Sequence, residues 1–403
     1  MKTESLTPIQ AERALEDLRK GIPPTGLLEH FTVGRKTEIQ WLDDHLVDDE
    51  SYSLLLKANY GSGKSHLLQL IREKALNAGF AVSLVVLDAK SGVRFNRMDQ
   101  IFGRILRNLE IEFEDGTTGG LSEVLDFLVQ SCEEARLETG TESHRFWKAV
   151  TNNWKWDYSE ELSSPPFFVA FRAWACSDSQ TVRSLVLDWL TSPDDYKSQR
   201  SHLYTLLVEY SRGKFRDPRP NIQMYQEGSL TFIPQLYASC WAALEDLQRM
   251  FVASGLIGMA ILFDEFEDVL TNLERITWKE AAFFNLFRFV SGDRFSGKTF
   301  FAVTPSFVEK SKAELILKDR WDFDFTRFDA LPTFAMSPLE KRHLLELGSR
   351  IVAVHERAYE YEVPEEVIEA MVKAVTVAAG SAVQDRARQA IKLAVHTLDD
   401  ALD

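Results

Sequence analysis

Residues 58–66 read Ala-Asn-Tyr-Gly-Ser-Gly-Lys-Ser-His, and this stretch decides the fold of the chain around it. The apolar run from Ser53 to Leu56 precedes it, and apolar residues at helical spacing from Leu67 to Leu76 follow it. A strand, a glycine-containing turn, a Lys-Ser pair and a helix in this order are typical of a phosphate-binding loop. Small residues let successive N–H groups point inward at phosphate oxygens, and the positive end of the helix dipole adds to that attraction.

This phosphate loop predicts a nucleotide site. Lys64 would reach the β- and γ-phosphates, and the Ser65 hydroxyl would hold Mg²⁺. The loop residues expected to bind ATP are Tyr60, Gly61, Ser62, Gly63, Lys64, Ser65 and His66. Ala58 departs from the full pattern, in which that position is glycine; alanine tolerates most glycine geometry but not a positive φ. A chance match in a surface loop fits less well, because a strand and a helix flank the motif.

Composition sets broad limits on what the chain does. The 403 residues, 45% of them hydrophobic, are enough for one large domain or two to three small ones. A net charge of −15 disfavours binding to nucleic acid or anionic membranes, unless basic residues cluster locally. Cys132, Cys176 and Cys240 lie far apart and predict small core residues in a reducing compartment. With no signal peptide and no apolar run that would span a bilayer, we expect a cytoplasmic protein.

The pattern along the chain predicts an α/β fold with a largely parallel sheet. Apolar strands are expected at 81–87, 258–263, 299–303 and 333–336, with helices between them. Helical periodicity dominates from about 110 to 255 and predicts a large helical insertion. The predicted core, with its N-terminal helix, spans 1–336, and a C-terminal helical lid spans 337–403. Ser337-Pro338-Leu339-Glu340 reads as the capping box that begins the lid.

Asp264-Glu265, at the end of an apolar strand, is the second strong signal. Ligands of parallel sheets sit beyond the carboxyl ends of the strands, so Asp264 is expected beside the Mg²⁺ and Glu265 beside the attacking water. Two solvated carboxylates at the start of a loop are the alternative. Thr304 ends the following strand, where it would touch the γ-phosphate or that water, or merely cap the strand before Pro305.

The order of phosphate loop, acidic strand, polar strand end and C-terminal helical lid resembles an AAA+ ATPase. Gly34-Arg35 looks like the AAA+ segment that contacts adenine. The resemblance implies an arginine that acts on a neighbouring subunit, for which Arg320 and Arg327 are candidates. It also implies a lid arginine at the γ-phosphate, for which Arg386 is the first choice, with Arg388 behind it. For each of these, a surface arginine with a solvated or ion-paired side chain is the alternative.

A narrower resemblance comes from the N-terminal third of the chain. Leu18-Arg19-Lys20-Gly21-Ile22-Pro23-Pro24, then Phe31-Thr32-Val33-Gly34-Arg35, then Tyr60 to His66, resembles the ATP-binding family of bacterial phage-exclusion (BREX) systems. That family includes BrxD and the ATPase subunit of the Shango antiphage system. The resemblance extends over most of the chain and implies a role in antiphage defence.

Two basic segments suggest contacts with DNA. Lys90, Arg94 and Arg97 surround Phe95 in the loop that faces the central pore of ring-forming AAA+ proteins. The alternative is a surface loop whose phenylalanine enters the core. A second cluster consists of Arg212, Lys214, Arg216 and Arg219, and is either a DNA-contacting tongue or a solvated loop.

These features lead to a Mg²⁺-dependent ATPase that self-associates and drives a helicase or nuclease partner in antiphage defence. Because the sequence stops directly after the third predicted lid helix, we do not expect sequence-specific DNA binding by this chain alone. The alternative is a nucleotide-gated scaffold with little turnover. No Leu-Ser-Gly-Gly-Gln signature is present, which disfavours an ABC-type ATPase, and small-molecule kinases rarely carry such a lid and insertion.

Overall fold

A central sheet organises the computed structural model, which describes residues 6–22, 24, 26–46, 52–152, 161–175, 179–192, 232, 234–380 and 386–402. Across these residues the sheet has seven strands in the order β4-β3-β2-β5-β6-β1-β7. The strands are β1 Ser53–Lys57, β2 Phe80–Val86, β3 Leu109–Glu112, β4 Thr118–Gly119, β5 Gly258–Asp264, β6 Lys298–Val303 and β7 Thr333–Ala335.

Five strands, β2-β5-β6-β1-β7, pair in parallel, which confirms the predicted largely parallel sheet. β3 and β4 extend one edge in the antiparallel sense. They lie at the start of the region from about 110 to 255, for which the sequence predicted helices alone, so that prediction was incomplete. Leu109 and Ile111 are buried while the glutamates beside them are partly exposed, the alternation of a half-buried strand.

Helices cover both faces of the sheet, as expected for parallel strands joined by crossovers. Within the described ranges, two 3₁₀ turns, Ala135–Leu137 and Phe266–Asp268, accompany them. The described helices are α1 Pro8–Lys20, α2 Leu28–Phe31, α3 Lys36–Leu46, α4 Lys64–Asn77, α5 Met98–Arg107, α6 Leu121–Glu134, α7 Glu142–Asn152, α8 Pro165–Ala175, α9 Gln180–Thr191, α10 Pro234–Ala253, α11 Val269–Asn272, α12 Ile276–Ser291, α13 Phe307–Leu317, α14 Thr326–Asp329, α15 Lys341–Tyr359, α16 Glu365–Gly380 and α17 Arg386–Asp399.

Each face of the sheet has its own hydrophobic cluster. On one face, Leu54 and Leu56 of β1 pack with Leu67 and Ile71 of α4. The larger cluster on the other face joins the sheet to α5, α12 and the helices α6 to α10. The helical region therefore shares the core of the sheet. Cys132 and Cys240 are buried, as predicted, and Cys176 lies outside the described residues.

A third cluster joins the N-terminal helix to the C-terminal helices. Leu15 and Leu18 of α1 pack with Ile351 of α15 and Val395 of α17. The Arg19 guanidinium donates to both carboxylate oxygens of Asp399, at 2.8 and 2.7 Å. The sequence grouped this helix with the core at 1–336, whereas its packing groups it with the helices of 337–403.

The first C-terminal helix begins later than the sequence predicted. Its N-cap is Glu340, which forms a capping box with His343, so Ser337 is not the cap. Ser337 is committed elsewhere: its N–H donates to Glu38 and its carbonyl accepts from Arg35. Ser337 thus makes tertiary hydrogen bonds in place of the helix cap that the local sequence predicted. No helix within the described ranges is long and apolar enough to cross a membrane.

Candidate functional site

The phosphate loop connects β1 to α4 in the predicted order. Gly61 and Gly63 have φ values of 67° and 89°, in the left-handed region that favours glycine, and Gly63 is the N-cap of α4. Ala58 is 3% exposed, its N–H donates to the Val303 carbonyl at 3.0 Å, and its φ is not positive. An alanine therefore fits the position where the usual pattern has its first glycine.

A cavity of about 320 Å³ opens over the phosphate loop. The acidic end of β5 forms its polar side together with the loop, while the N-terminal segment and the C-terminal helices form an apolar side. Lys64, Ser65 and Asp264 therefore border one space, although Lys64 and Asp264 are 200 residues apart in sequence. The lining residues are Leu18, Gly21, Ile22, Pro24, Phe31, Thr32, Val33, Arg35, Tyr60, Gly61, Ser62, Gly63, Lys64, Ser65, His66, Asp264, Glu265, Glu267, Leu339, Leu347, Ala387, Arg388 and Ile391.

Lys64 makes a buried ion pair that the sequence analysis missed. Its Nζ donates to Glu267 Oε1 at 2.6 Å and lies 4.6 Å from the centroid of the Tyr60 ring. The other oxygen of Glu267, Oε2, is buried and makes no hydrogen bond within the described part of the chain. The sequence does show that Glu267 is an acidic residue three positions after Asp264. Which of the neighbouring acidic residues pairs with Lys64, however, depends on the three-dimensional arrangement.

The acidic pair ends β5 in a strained turn. Asp264 is 7% exposed, and its Oδ1 accepts from the N–H of Glu265 at 2.9 Å. Glu265 has φ 55° and ψ 34°, a left-handed conformation that is rare for residues other than glycine and concentrates at functional sites. Burial raises the pKa of the Glu265 carboxyl, and the neighbouring carboxylates, Asp264 first, raise it further.

The donor set beside the loop fits a magnesium ion. The Ser65 hydroxyl and the Asp264 carboxylate border the same cavity, and both supply the oxygen donors that Mg²⁺ prefers. Mg²⁺ in nucleotide sites is usually held by one or two protein oxygens together with phosphates and water. No group of three or more His, Cys, Asp or Glu residues able to hold a metal occurs in the described ranges.

Thr304 directly follows β6, the strand between the phosphate-loop strand β1 and the acidic strand β5. It is 7% exposed, and its carbonyl accepts from the N–H of Phe307 at the start of α13. The strand order therefore places Thr304 between the strand that leads into the loop and the strand that ends in the acidic pair, although Thr304 is not among the residues that line the cavity.

Arg35 borders the cavity, but its guanidinium is bound mainly to protein. Nη2 donates to the Ser62 carbonyl at 2.6 Å, and Nη1 donates to Glu38 at 2.9 Å and to the Ser337 carbonyl. Gly34, with φ 63°, lies so close to His343 that an added Cβ would approach its Nδ1 to 2.5 Å. The sequence predicted nucleotide contacts for Gly34 and Arg35; the structure adds contacts with the C-terminal helices.

His66 is held neutral beside the loop. Its Nε2 lies 2.7 Å from Thr32 Oγ1, and the Thr32 hydroxyl itself donates to the Leu28 carbonyl at 2.6 Å. His66 Nε2 is therefore the donor to Thr32. Burial, together with a smaller effect of the positive charge of Arg35, lowers the pKa of His66 to about 4.

The arginines implied by the AAA+ resemblance lie in two places. Arg320 donates to Glu280 at 2.6 Å, and Arg327 lies 4.5 Å from the centroid of the Phe287 ring, both away from this cavity. Arg388 borders the cavity, whereas Arg386 borders an adjoining space of about 190 Å³ next to Asn59 and Ser62. Of these four arginines, Arg388, named second from sequence for the lid position, is the one that borders the main cavity.

The first basic segment does not form the predicted stacking surface. Phe95 is 1% exposed and packs edge-on against Phe266 at 4.8 Å between ring centroids. Of the two interpretations of this loop, the one in which the phenylalanine enters the core is therefore correct, and stacking of Phe95 on nucleic acid is excluded. Arg97 pairs with Asp99, and Arg94 lies over the Trp278 ring. Lys90 remains exposed. The second segment, Arg212, Lys214, Arg216 and Arg219, lies outside the described residues.

The fold and the cavity together define a mixed α/β chain with a phosphate loop facing an acidic strand end. The model of the BREX system ATP-binding protein BrxC/D family matches residues 7–199 and 238–402. The chain therefore belongs to this family, which confirms the resemblance drawn from the N-terminal motifs and implies ATP binding in an antiphage defence system. No curated protein and no solved structure matched significantly.

Proposed function

We propose that this chain is a Mg²⁺-dependent AAA+ ATPase that couples ATP binding and hydrolysis to a DNA-processing partner, such as a helicase or nuclease, in a BREX system. The observation that carries the proposal is the shared cavity of Lys64, Ser65, Asp264 and Glu265. A phosphate loop alone binds anions, whereas the ionised carboxylate of Glu265 in the same cavity supports hydrolysis. Family membership supports action in the cytoplasm.

Each polar group has a proposed part in the reaction. The amides of the phosphate loop and the Lys64 ammonium bind and orient the β- and γ-phosphates. Ser65 and Asp264 hold the Mg²⁺, which when bound neutralises charge on the phosphate oxygens. Glu265 orients the attacking water and accepts its proton. Thr304 is proposed to contact the γ-phosphate or that water, and Arg386 or Arg388 the γ-phosphate from the C-terminal side.

The apolar side of the cavity suits a nucleotide base. Leu18 and Ile22 come from the N-terminal segment, and Leu347 and Ile391 come from the C-terminal helices. The packing of α1 on those helices brings the two sets together. We place the adenine between them, near the segment of Gly34 and Arg35.

Self-association is part of the proposal. Arg320 and Arg327 lie near hydrophobic side chains that solvent reaches: Phe284 is 44%, Leu317 77% and Trp321 67% exposed. Exposed apolar groups beside cations suit an interface with a second copy, whose cavity one of these arginines would complete.

Binding and turnover in three chains test the proposal. Lys64→Ala should abolish ATP binding, because the cation that neutralises the β- and γ-phosphates is removed. Glu265→Gln should retain binding and lose turnover by roughly 100-fold or more. A Lys64→Ala chain with unchanged ATP affinity would overturn the site. Hydrolysis rates with and without single- and double-stranded DNA, at two salt concentrations, test whether DNA acts on this chain.

The buried ion pair between Lys64 and Glu267 favours a second candidate, a nucleotide-gated scaffold with little turnover. A lysine held by a carboxylate must exchange partners before it can bind phosphate, which would slow a catalytic cycle. In a scaffold, Glu265→Gln would leave partner assembly nearly unchanged. Assembly and hydrolysis measured on that one variant therefore separate the two functions.

A further inference from the structure

The Arg35 guanidinium joins three segments that are far apart in sequence. It donates to Glu38 of α3, the helix that directly follows Arg35, to the carbonyl of Ser62 in the phosphate loop, and to the carbonyl of Ser337 before α15. The side chain is 5% exposed, so these contacts are shielded from water. A planar cation with five donors can bond acceptors in several directions at once, which a single ammonium does less well.

Glu38 completes this arrangement and neutralises it. Its side chain is 3% exposed, and its Oε1 accepts from Arg35 at 2.9 Å and from the Ser337 N–H at 2.9 Å. Both backbone polar groups of Ser337 are therefore bound by this one pair of side chains. Glu38 lies outside the wall of the large cavity, so it has no direct contact with anything bound there.

Gly34 provides a second contact between the same segments. Its missing side chain lets the His343 ring of α15 lie where a Cβ would be, at 2.5 Å from Nδ1 and 2.6 Å from Cγ. His343 also accepts from the N–H of Glu340 in the capping box of α15. The first turn of α15 is thus packed directly on the residue that precedes Arg35.

We propose that Arg35 and Glu38 are positioning residues that link the phosphate loop mechanically to the start of the C-terminal helices. A phosphate chain bound at the loop would then stabilise residues 337–347 through the Ser62 and Ser337 carbonyls. This inference rests on the proposed function, because it requires the loop to bind phosphate. It gives Arg35 a role that acts through the backbone, in addition to any contact with nucleotide.

Hydrogen exchange with magnesium tripolyphosphate as the probe tests the link. Tripolyphosphate has no base, so it fills the phosphate side of the cavity and leaves the apolar side empty. In the wild-type chain we expect exchange to slow about threefold or more in two peptides, 58–66 and 337–347. Protection of the first peptide shows that the probe is bound.

Three variants separate the link from general stability. Glu38→Gln, which alters no residue of the cavity wall, should retain protection of 58–66 and lose that of 337–347. Arg35→Lys should also lose protection of 337–347. Arg350→Lys is the matched control, because Arg350 donates from α15 to the carbonyls of His30 and Thr32 and does not touch the phosphate loop. It should retain protection of both peptides.

The outcomes distinguish this inference from the proposed function. If Arg35→Lys and Glu38→Gln keep full probe-dependent protection of 337–347, the link is refuted while the nucleotide site stands. If Arg350→Lys loses protection of 337–347 to the same extent, the loss reports a general destabilisation of α15, and the link is also refuted. A wild-type chain that binds neither tripolyphosphate nor ATP would overturn the proposed function, and this inference with it.

Discussion

Lys64 Nζ lies 2.6 Å from Glu267 Oε1, and the two side chains are 8% and 6% exposed. Two buried charges that have lost their hydration stabilise each other, so the Glu267 carboxylate holds the Lys64 ammonium in place. The β- and γ-phosphates would bind that same ammonium, which makes Glu267 their competitor. We therefore expect a carboxylate outside the phosphate loop to set part of the affinity of the site for nucleotide.

Glu267→Gln should raise ATP affinity about tenfold, equivalent to ~1.4 kcal/mol. The amide oxygen can still accept from Lys64, but without a full negative charge it competes less well with phosphate. Calorimetric titration with ATP measures the change. AMP lacks the β- and γ-phosphates, so its affinity should change much less.

Asp268→Asn is the matched control for that prediction, since it removes one carboxylate from the neighbouring position. Lys64 acts on Asp268 through its charge, whereas it donates its hydrogen bond to Glu267. Its effect on ATP affinity should be clearly smaller than that of Glu267→Gln. Equal effects of the two substitutions would mean that general charge, rather than the Lys64–Glu267 pair, controls binding.

The pH dependence of turnover should report on Glu265. The ionised carboxylate is the active form, and burial with neighbouring carboxylates raises its pKa. Activity should therefore fall, as the pH is lowered, at a higher pH than the ordinary glutamate value of 4.5. Asp268→Asn removes one of the charges that raise this pKa, so it should move the acidic limb of the kcat profile to lower pH. A limb that stays in place or moves upward would contradict this assignment.

Stability at acidic pH should depend on His66. Its pKa is about 4 in the fold against 6.5 ordinarily, so the unfolded chain binds the proton first as the pH falls. The free energy of unfolding should drop between pH 6.5 and 4, by roughly 3 kcal/mol at most from this residue. Urea titrations of wild type and His66→Gln across that range measure the difference, because glutamine cannot take up the proton. Parallel pH curves for the two chains would disprove the contribution.

Mixing experiments test the arginines proposed to act on a neighbouring subunit. Arg327→Ala and Glu265→Gln should each lose most hydrolysis alone, and a mixture should regain part of it, because one junction then combines two intact halves. Arg320→Ala mixed in the same way is the comparison, since Arg320 is already ion-paired with Glu280 of its own chain. If neither mixture recovers activity, neither arginine acts in trans.

Much of the fold was predictable because its signals are local. A phosphate loop needs a strand before it, glycines at Gly61 and Gly63 and a helix after it, and all of these are adjacent in sequence. The β3 strand could also have been found. Residues 109–114, Leu-Glu-Ile-Glu-Phe-Glu, alternate apolar and acidic at strand period, although Leu109 also completes the helical pattern before it.

Tertiary structure decided which polar and charged side chains pair with one another. Nothing local distinguishes Glu267 from the other acids as the partner of Lys64, because the choice depends on how a 3₁₀ turn after β5 meets the start of α4. Ser337 has a helix-capping pattern, yet the buried pair of Arg35 and Glu38 takes both of its backbone groups. The sequence by itself determined which segments become most of the strands, the phosphate loop and the helices, because these local structures depend on residues that are adjacent in sequence. Only the folded chain determined which buried charges meet, because desolvation and distance act between residues hundreds of positions apart.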